Sequence, residues 1–243
     1  MNTTSRVSLS GIALCASLAA CGNSTGSNNT GNTGKGGAWH ALVGRGGSFT
    51  QTRDGLTWTT STLDAAIDLD GVACVTSQIG WAAGARGTIG HTRDGGSTWS
   101  WPSSGVTSEL RAIRFAADGQ LGVAAGDTGA LTLSSDGGAT WHALPSAISG
   151  DADLHAIAIT GSGDLIVAVG DGATILRSID RGRGWLRRSI SGAASLHGVA
   201  TSSDSGLVLA VDSAGAIFAS YDGALSFTRE ALAAAPLEAV RAQ

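Results

Sequence analysis

Residues 92–99 read TRDGGSTW, and residues 134–141 read SSDGGATW. The same phrase returns with Gly in place of Thr at 178–185, one residue short at 52–58, and in its most altered form at 220–227. The aromatic residues that end the five copies are 41, 42, 44 and 42 residues apart. A period near 42 residues predicts a repeat architecture.

Each copy lies in a unit whose apolar segments are separated by Gly and Asp turns. Four short antiparallel strands per unit, named A to D here, are typical of a β-propeller blade. We therefore predict an all-β fold, a β-propeller of five four-stranded blades. The expected A strands begin at four similar segments, Leu63–Ile67, Leu110–Ile113, Leu154–Ile157 and Leu196–Val199.

The two ends of the repeat region predict how the ring closes. The first unit begins at strand B, with Trp39, and so lacks a strand A. The last apolar segment, 237–240, matches the strand A pattern but has no blade of its own. We expect this C-terminal strand to complete blade 1, because closure removes an exposed sheet edge.

The repeated phrase itself predicts a turn between strands C and D. Its aspartate can accept hydrogen bonds from the backbone N–H groups that follow it. Its glycine tolerates a positive φ, and its aromatic ring begins strand D. We therefore expect structural roles, and no catalytic residue, in the set Asp54, Asp94, Asp136, Asp180, Asp222, Trp58, Trp99, Trp141, Trp185 and Phe227.

This phrase resembles the Asp-box, or bacterial neuraminidase repeat, and the units are similar to those of photosystem II stability/assembly factor-like proteins. The resemblance covers residues 39–243 and implies a non-enzymatic propeller that scaffolds protein partners. The photosynthetic members have seven blades, whereas five units are present here. Their functional arginine patch has no residue-by-residue match in this sequence.

The N-terminus has the pattern of an export signal. Arg6 precedes an apolar run from Val7 to Leu18, and Leu-Ala-Ala-Cys-Gly follows at 18–22. This segment resembles a bacterial lipobox, which implies a signal peptide at 1–20 and a lipid on Cys21. Gly22, in place of an aspartate, favours the outer membrane of the cell envelope.

The segment from 22 to 37 contains no apolar side chain that could pack. We assign 21–38 to the lipidated cysteine and a flexible tether, and 39–243 to the propeller. Cys15 would leave with the signal and Cys21 would carry lipid, so Cys74 would have no internal disulfide partner. We expect Cys74 to be a buried small apolar residue.

Composition and motifs argue against several functions. The chain has 15 Lys+Arg and 19 Asp+Glu, a net charge of −4, which disfavours nucleic-acid binding. Neither a His-Glu-x-x-His motif nor a Gly-x-Ser-x-Gly elbow is present. The single tyrosine, Tyr221, lies inside the fifth Asp motif, where a sialidase nucleophile is not expected. We predict no enzyme activity and no cofactor.

The face that carries the B–C turns and the starts of the A strands is the expected binding face. Equivalent positions there differ in charge, which either a specialised partner site or a solvated rim of balanced charges would explain. The candidates are Asp64, Arg111, His155, His197 and Glu238 on the A strands, and Arg45, Arg86, Asp127, Asp171 and Asp212 in the turns. Because further ligands are not guaranteed, we expect His155 and His197 to be hydrogen-bonded and predict no metal site.

Five arginines occur within twelve residues of blade 4, at 177, 181, 183, 187 and 188. Either an anionic partner or a solvated edge would explain them. Together the patterns favour a membrane-anchored lipoprotein that binds an unknown envelope protein as a scaffold. The alternative is a carbohydrate-binding propeller with a glycan ligand, and a sialidase-like glycoside hydrolase is a distant third.

Overall fold

The computed structural model describes residues 18–21, 39–64, 67–202 and 206–232, and it contains five antiparallel sheets. Four sheets have four strands and one has three. A single short α-helix, α1, spans Ser146–Ser149 in the described part of the chain. This architecture confirms the prediction of an all-β propeller.

The strands follow chain order within each sheet, which is the meander of a propeller blade. Blade 1 contains β1 (Leu18–Cys21), β2 (Trp39–Val43), β3 (Ser48–Thr52) and β4 (Thr59–Thr62). Blade 2 contains β5 (Leu69–Cys74), β6 (Gly80–Gly84) and β7 (Thr88–Thr92). Blade 3 contains β8 (Leu110–Phe115), β9 (Gly122–Gly126), β10 (Leu131–Ser134) and β11 (His142–Ala143).

Blade 4 contains β12 (Leu154–Ile159), β13 (Ile166–Gly170), β14 (Thr174–Ser178) and β15 (Leu186–Ser189). Blade 5 contains β16 (Leu196–Thr201), β17 (Val208–Asp212), β18 (Ala216–Ser220) and β19 (Thr228–Leu232). The middle strands β6, β9 and β13 are buried along their whole length. Small and β-branched residues suit strands that are covered on both faces.

The hydrophobic core consists of four clusters, one between each pair of successive blades. Between blades 2 and 3, Trp81 stacks on Phe115 with ring centroids 3.5 Å apart, and Trp141 meets Phe115 edge-on. Trp81 is almost fully buried. Because each blade covers the face of the next, the apolar residues of one blade depend on its neighbours for burial.

The strand at the inner edge of blade 1 is not the one predicted. The segment predicted to complete this blade, 237–240, lies outside the described residues. The inner edge of β2 instead pairs with β1, in a register that places Leu18 opposite Leu42 and Cys21 opposite Trp39. An apolar segment can meet the hydrogen-bonding requirement of that edge whichever end of the chain supplies it.

The A strand of blade 2 begins six residues later than predicted. The expected segment, Leu63–Ile67, precedes the strand, and β5 begins at Leu69. The sequence from Leu69 to Val72, Leu-Asp-Gly-Val, matches the apolar-polar-small-apolar pattern of the other A strands. The prediction was wrong because Leu63 and Ile67 have similar spacing but are followed by a second copy of the pattern.

Blade 2 has three strands rather than the predicted four. Where a fourth would lie, only Ser100 forms a bridge, to His91. Pro102 follows two residues later and has no N–H to continue the ladder. Trp101 instead stacks near Trp99, against the bare backbone of Gly90.

Cys74 also differs from the prediction. It is half-buried at the end of β5 and is disulfide-bonded, whereas a thiol without an internal partner was expected. The chain has three cysteines, so this bond consumes one of the other two. A disulfide of Cys74 is therefore incompatible with a mature chain that has lost Cys15 and acylated Cys21.

Among the described residues, no helix has the length and apolar character needed to cross a bilayer.

Candidate functional site

The second residue of the A strand lies at a β-bulge in blades 2 to 5. In β5, β8, β12 and β16 the pairing register shifts between the first and third residues, which skips the second residue. A bulge redirects the side chain of the skipped residue and is common beside functional sites. The four residues are Asp70, Arg111, His155 and His197, and we call them, with Asp127 and Asp171, the mouth.

Close backbone contacts hold the B–C turns against the starts of the A strands. A Cβ on Gly126 would lie 1.9 Å from the Glu109 carbonyl oxygen, and one on Gly170 would lie 1.9 Å from that of Asp153. The next residue then donates its N–H to the same carbonyl, at 2.9 Å for both Asp127 and Asp171. These contacts place each turn aspartate beside the bulged residue of its blade.

In blade 3 this arrangement produces an ion pair. The Arg111 guanidinium binds the Asp127 carboxylate with two groups, through Nε to Oδ1 and through Nη2 to Oδ2 at 3.1 Å. The hydrogen bond that Arg111 donates to Asp127 raises the pKa of Arg111 further above its usual range. A bidentate pair has a fixed geometry, so this edge of the mouth is preorganised.

In blade 4 the equivalent residues are His155 and Asp171, whose Nε2 and Oδ1 atoms are 2.9 Å apart. The His155 hydrogen bond is the main cause that lowers the pKa of Asp171. His197 of blade 5 reaches the same pair, with its ring centroid 4.7 Å from that of His155. Two imidazoles and one carboxylate thus meet at the junction of blades 4 and 5.

In blade 2 the bulged residue is Asp70, which takes the place expected for Asp64. Burial, and then the charge and hydrogen bond of Glu109, raise the pKa of Asp70 to about 6. Arg111 opposes this shift. The sequence signal for Asp70 was its place after Leu69 in the Leu-Asp-Gly-Val segment, which the earlier match at Leu63 concealed.

The remaining predicted face residues are dispersed. Asp64 is exposed before β5, and Arg45 and Arg86 are exposed in the B–C turns of blades 1 and 2. Arg86 lies one position later in its turn than Arg45, so the two are not equivalent. Glu238 lies outside the described residues.

Asp212 serves the backbone of its own turn. Burial raises its pKa, but N–H groups of Ala194, Ala216 and Ala214 donate to the carboxylate and the pKa is lowered overall. The three N–O distances are 2.7–3.0 Å. Its oxygens are therefore used within blade 5 and are not directed at a ligand.

The aspartates of the C–D turns lie at the opposite end of the strands from the mouth, since the strands are antiparallel. In blade 2, Asp94 accepts hydrogen bonds from Thr98 N at 2.8 Å, Thr98 Oγ1 at 2.6 Å and Thr92 Oγ1 at 2.9 Å. The Thr98 bonds are the main cause that lowers the pKa of Asp94 to about 2. Blade 3 repeats this pattern with Asp136 and Thr140.

The aromatic residues of these turns differ in burial. The indole N–H of Trp99, Trp141 and Trp185 donates to the carbonyl of the turn glycine three residues earlier. Trp141 is 6% exposed, whereas Trp58 is 42% exposed. Tyr221, at the blade 5 turn, is 70% exposed and far from the mouth along the strand direction.

Three arginines of the blade 4 cluster contact different parts of the neighbouring blades. Arg177 donates to the Gly223 carbonyl of blade 5. Arg181 binds the Ser162 carbonyl and, at 2.8 Å, the Asp118 carboxylate of blade 3. The Arg187 guanidinium packs against Gly150. These three side chains therefore join neighbouring blades rather than form one cationic patch.

No protein-family model and no curated protein matches this chain. Among solved structures, one titled "YCF48 bound to D1 peptide" has 20% sequence identity and a TM-score of 0.53. The match covers 79% of this chain and 76% of the other. The chain therefore shares a propeller fold with YCF48.

Proposed function

We propose that this protein is a non-enzymatic β-propeller scaffold that binds a protein partner through its mouth. We further propose that processing replaces the disulfide of the unprocessed chain by a lipid on Cys21, which anchors the protein in the cell envelope. The partner is a segment of an envelope protein that brings polar and charged side chains to the mouth. The outer membrane is the proposed location.

The observation that carries this proposal is the unlike chemistry of the four bulged residues. The same backbone position presents a carboxyl at Asp70, a guanidinium at Arg111, and imidazoles at His155 and His197. Folding of the repeat does not by itself require four unlike side chains at this one backbone position. A ring of unlike groups suits an irregular polypeptide, whose side chains also differ along its length.

The solved structure of YCF48 with a D1 peptide supports a peptide ligand at the coarse level of the fold. Repeated glycan pockets would require the same polar and aromatic residues in each blade, and the mouth does not offer them. The charged network of Asp70, Glu109, Arg111 and Asp127 instead offers both signs of charge on one face.

Site-specific photo-crosslinking in cells tests this proposal. A photo-reactive amino acid replaces Thr128, which is exposed in the B–C turn of blade 3 beside Asp127, and Thr60, on the exposed outer strand β4, serves as the matched control. We expect a crosslinked product of defined mass from position 128 and none from position 60. Adding Arg111→Ala should reduce that product several-fold.

Equal products from both positions, or a product that Arg111→Ala leaves unchanged, would contradict partner binding at the mouth. The anchor is tested separately by metabolic labelling with a radioactive fatty acid. Wild-type protein should carry label in the membrane fraction, and Cys21→Ala should be unlabelled and released from membranes. Label that persists in Cys21→Ala would refute the anchor.

A further inference from the structure

We propose that His155, Asp171 and His197 form a binding site for a divalent transition-metal cation of the zinc type, at the junction of blades 4 and 5. One potential ligand atom from each residue lies within 4.8 Å of the others, and the described part of the chain contains one such group. This inference concerns a metal ligand and does not depend on the proposed protein partner.

The fold brings the three ligands together from distant parts of the chain. His155 and His197 are the bulged residues of adjacent inner strands, and Asp171 begins the B–C turn of blade 4. The Asp171 N–H bond to the Asp153 carbonyl fixes that turn from below. Two inner strands and one pinned turn are a more rigid frame than a surface loop, which favours a defined metal geometry.

The distances allow coordination after small side-chain rotations. Zinc binds imidazole nitrogen and carboxylate oxygen at about 2.0–2.2 Å, which places tetrahedral ligands roughly 3.3 Å apart. The His155 and Asp171 atoms are 2.9 Å apart and would separate slightly. The widest separation, 4.8 Å, would contract by about 1.5 Å, which rotation of an imidazole can supply.

The neighbouring side chains also favour metal binding at this site rather than at the equivalent positions of blades 3 and 5. At the equivalent position of blade 3, Arg111 occupies the Asp127 carboxylate and excludes a cation. In blade 5, Ser213 replaces the turn aspartate, so His197 faces the carboxylate of blade 4. His155 is 18% exposed and Asp171 is 47% exposed, which leaves a path for the ion and for water.

Two imidazoles and one carboxylate select among metals. Nitrogen and oxygen ligands of this kind suit Zn²⁺, Ni²⁺ and Cu²⁺ better than Ca²⁺ or Mg²⁺, which prefer oxygen alone. Three protein ligands leave a fourth tetrahedral position for water or for another ligand. The site would thus have the open form of a zinc centre rather than the closed form of a structural one.

Calorimetric titration with zinc chloride tests the site. The full chain is purified in detergent with a tag that lacks histidine and is stripped of metal with a chelator. We expect one Zn²⁺ per chain, and at least a tenfold weaker affinity for His197→Ala and for Asp171→Asn. His142→Ala removes an exposed histidine of β11 outside the mouth and should leave the affinity unchanged.

A second readout separates this site from adventitious binding. In NMR spectra of protein with isotope-labelled histidine, zinc should shift the imidazole signals of His155 and His197 and leave the signal of His142 unchanged. No stoichiometric binding, or binding that survives in both variants, would overturn the proposal. Asp171→Asn preserves the size of the side chain, so it carries the test if His197→Ala does not fold.

Discussion

The close approach of Gly126 to the Glu109 carbonyl predicts a large effect from a single methyl group. A Cβ at residue 126 would lie 1.9 Å from that oxygen and 2.8 Å from the Leu110 Cα, far inside ordinary contact. The backbone of Gly126 is extended, with φ near −174°, so the conflict is with its surroundings and not with its own dihedral angle. We therefore expect Gly126→Ala to displace the start of β8.

The magnitude follows from two losses and one gain. Overpacking costs about 1–3 kcal/mol. Loss of the Asp127 N–H bond to Glu109 costs about 1 kcal/mol more. Alanine reduces the entropy of the unfolded chain and returns about 0.4–1 kcal/mol. The free energy of unfolding should fall by about 1–3.5 kcal/mol, and the melting temperature by about 2–14 °C for a domain of this size.

Thermal unfolding followed by circular dichroism measures this difference. Gly161→Ala is the matched control, because its Cβ would meet only the Ala117 Cβ, at 3.8 Å, which is ordinary contact. It should melt within a few degrees of wild type. If Gly126→Ala and Gly161→Ala had the same melting temperature, the close contact at Gly126 would not contribute to stability, which would contradict this explanation of the turn.

Three further predictions concern charge, covalent state and closure. Since the pKa of Asp70 is raised to about 6, its contribution to stability is present below pH 4 and is lost as the pH rises through 6. Asp70→Asn should thus raise the free energy of unfolding at pH 7.5 by about 1 kcal/mol, after allowance for its partial exposure, and change little at pH 4 in parallel urea titrations. Maleimide labelling of the denatured full-length chain should modify one thiol per chain without reduction and three after it, because the disulfide of Cys74 uses two of the three cysteines, and three thiols without reduction would contradict that disulfide. Truncation after residue 235 should lower the melting temperature of the processed protein, and an unchanged value would count against closure by 237–240.

The candidate site was only partly predictable. Arg111, His155 and His197 lie at the second positions of β8, β12 and β16, whose sequences share the Leu-x-small-apolar pattern and its fixed distance from the Asp turn. Asp70 was missed because two successive matches to the pattern begin within seven residues, at Leu63 and at Leu69. The distance to the Asp turn favours Leu69, which precedes Asp94 by 25 residues against 26 in the other three units, and the pairing of Leu69 with Gly84 of β6 agrees.

Local pattern determined the propeller itself. The period near 42 residues and the Asp-Gly turns specify hairpins, because each turn satisfies its own hydrogen bonds within eight residues, as Asp94 and Thr92 do. That information is short-range and is therefore readable along the chain. The loss of a fourth strand in blade 2 was also readable in principle, from Pro102.

The tertiary structure alone decided what depends on residues far apart in the chain. His155 and His197 are 42 positions apart in the sequence, and no local spacing indicates that the Asp171 carboxylate lies beside both imidazoles. The bulges that direct the mouth side chains arise from strand pairing, and the inner edge of β2 pairs with β1. The conformation of a turn depends on residues that are close in sequence. The composition of the mouth and the pairing of strand edges depend on residues that are distant in sequence and meet only in the folded chain.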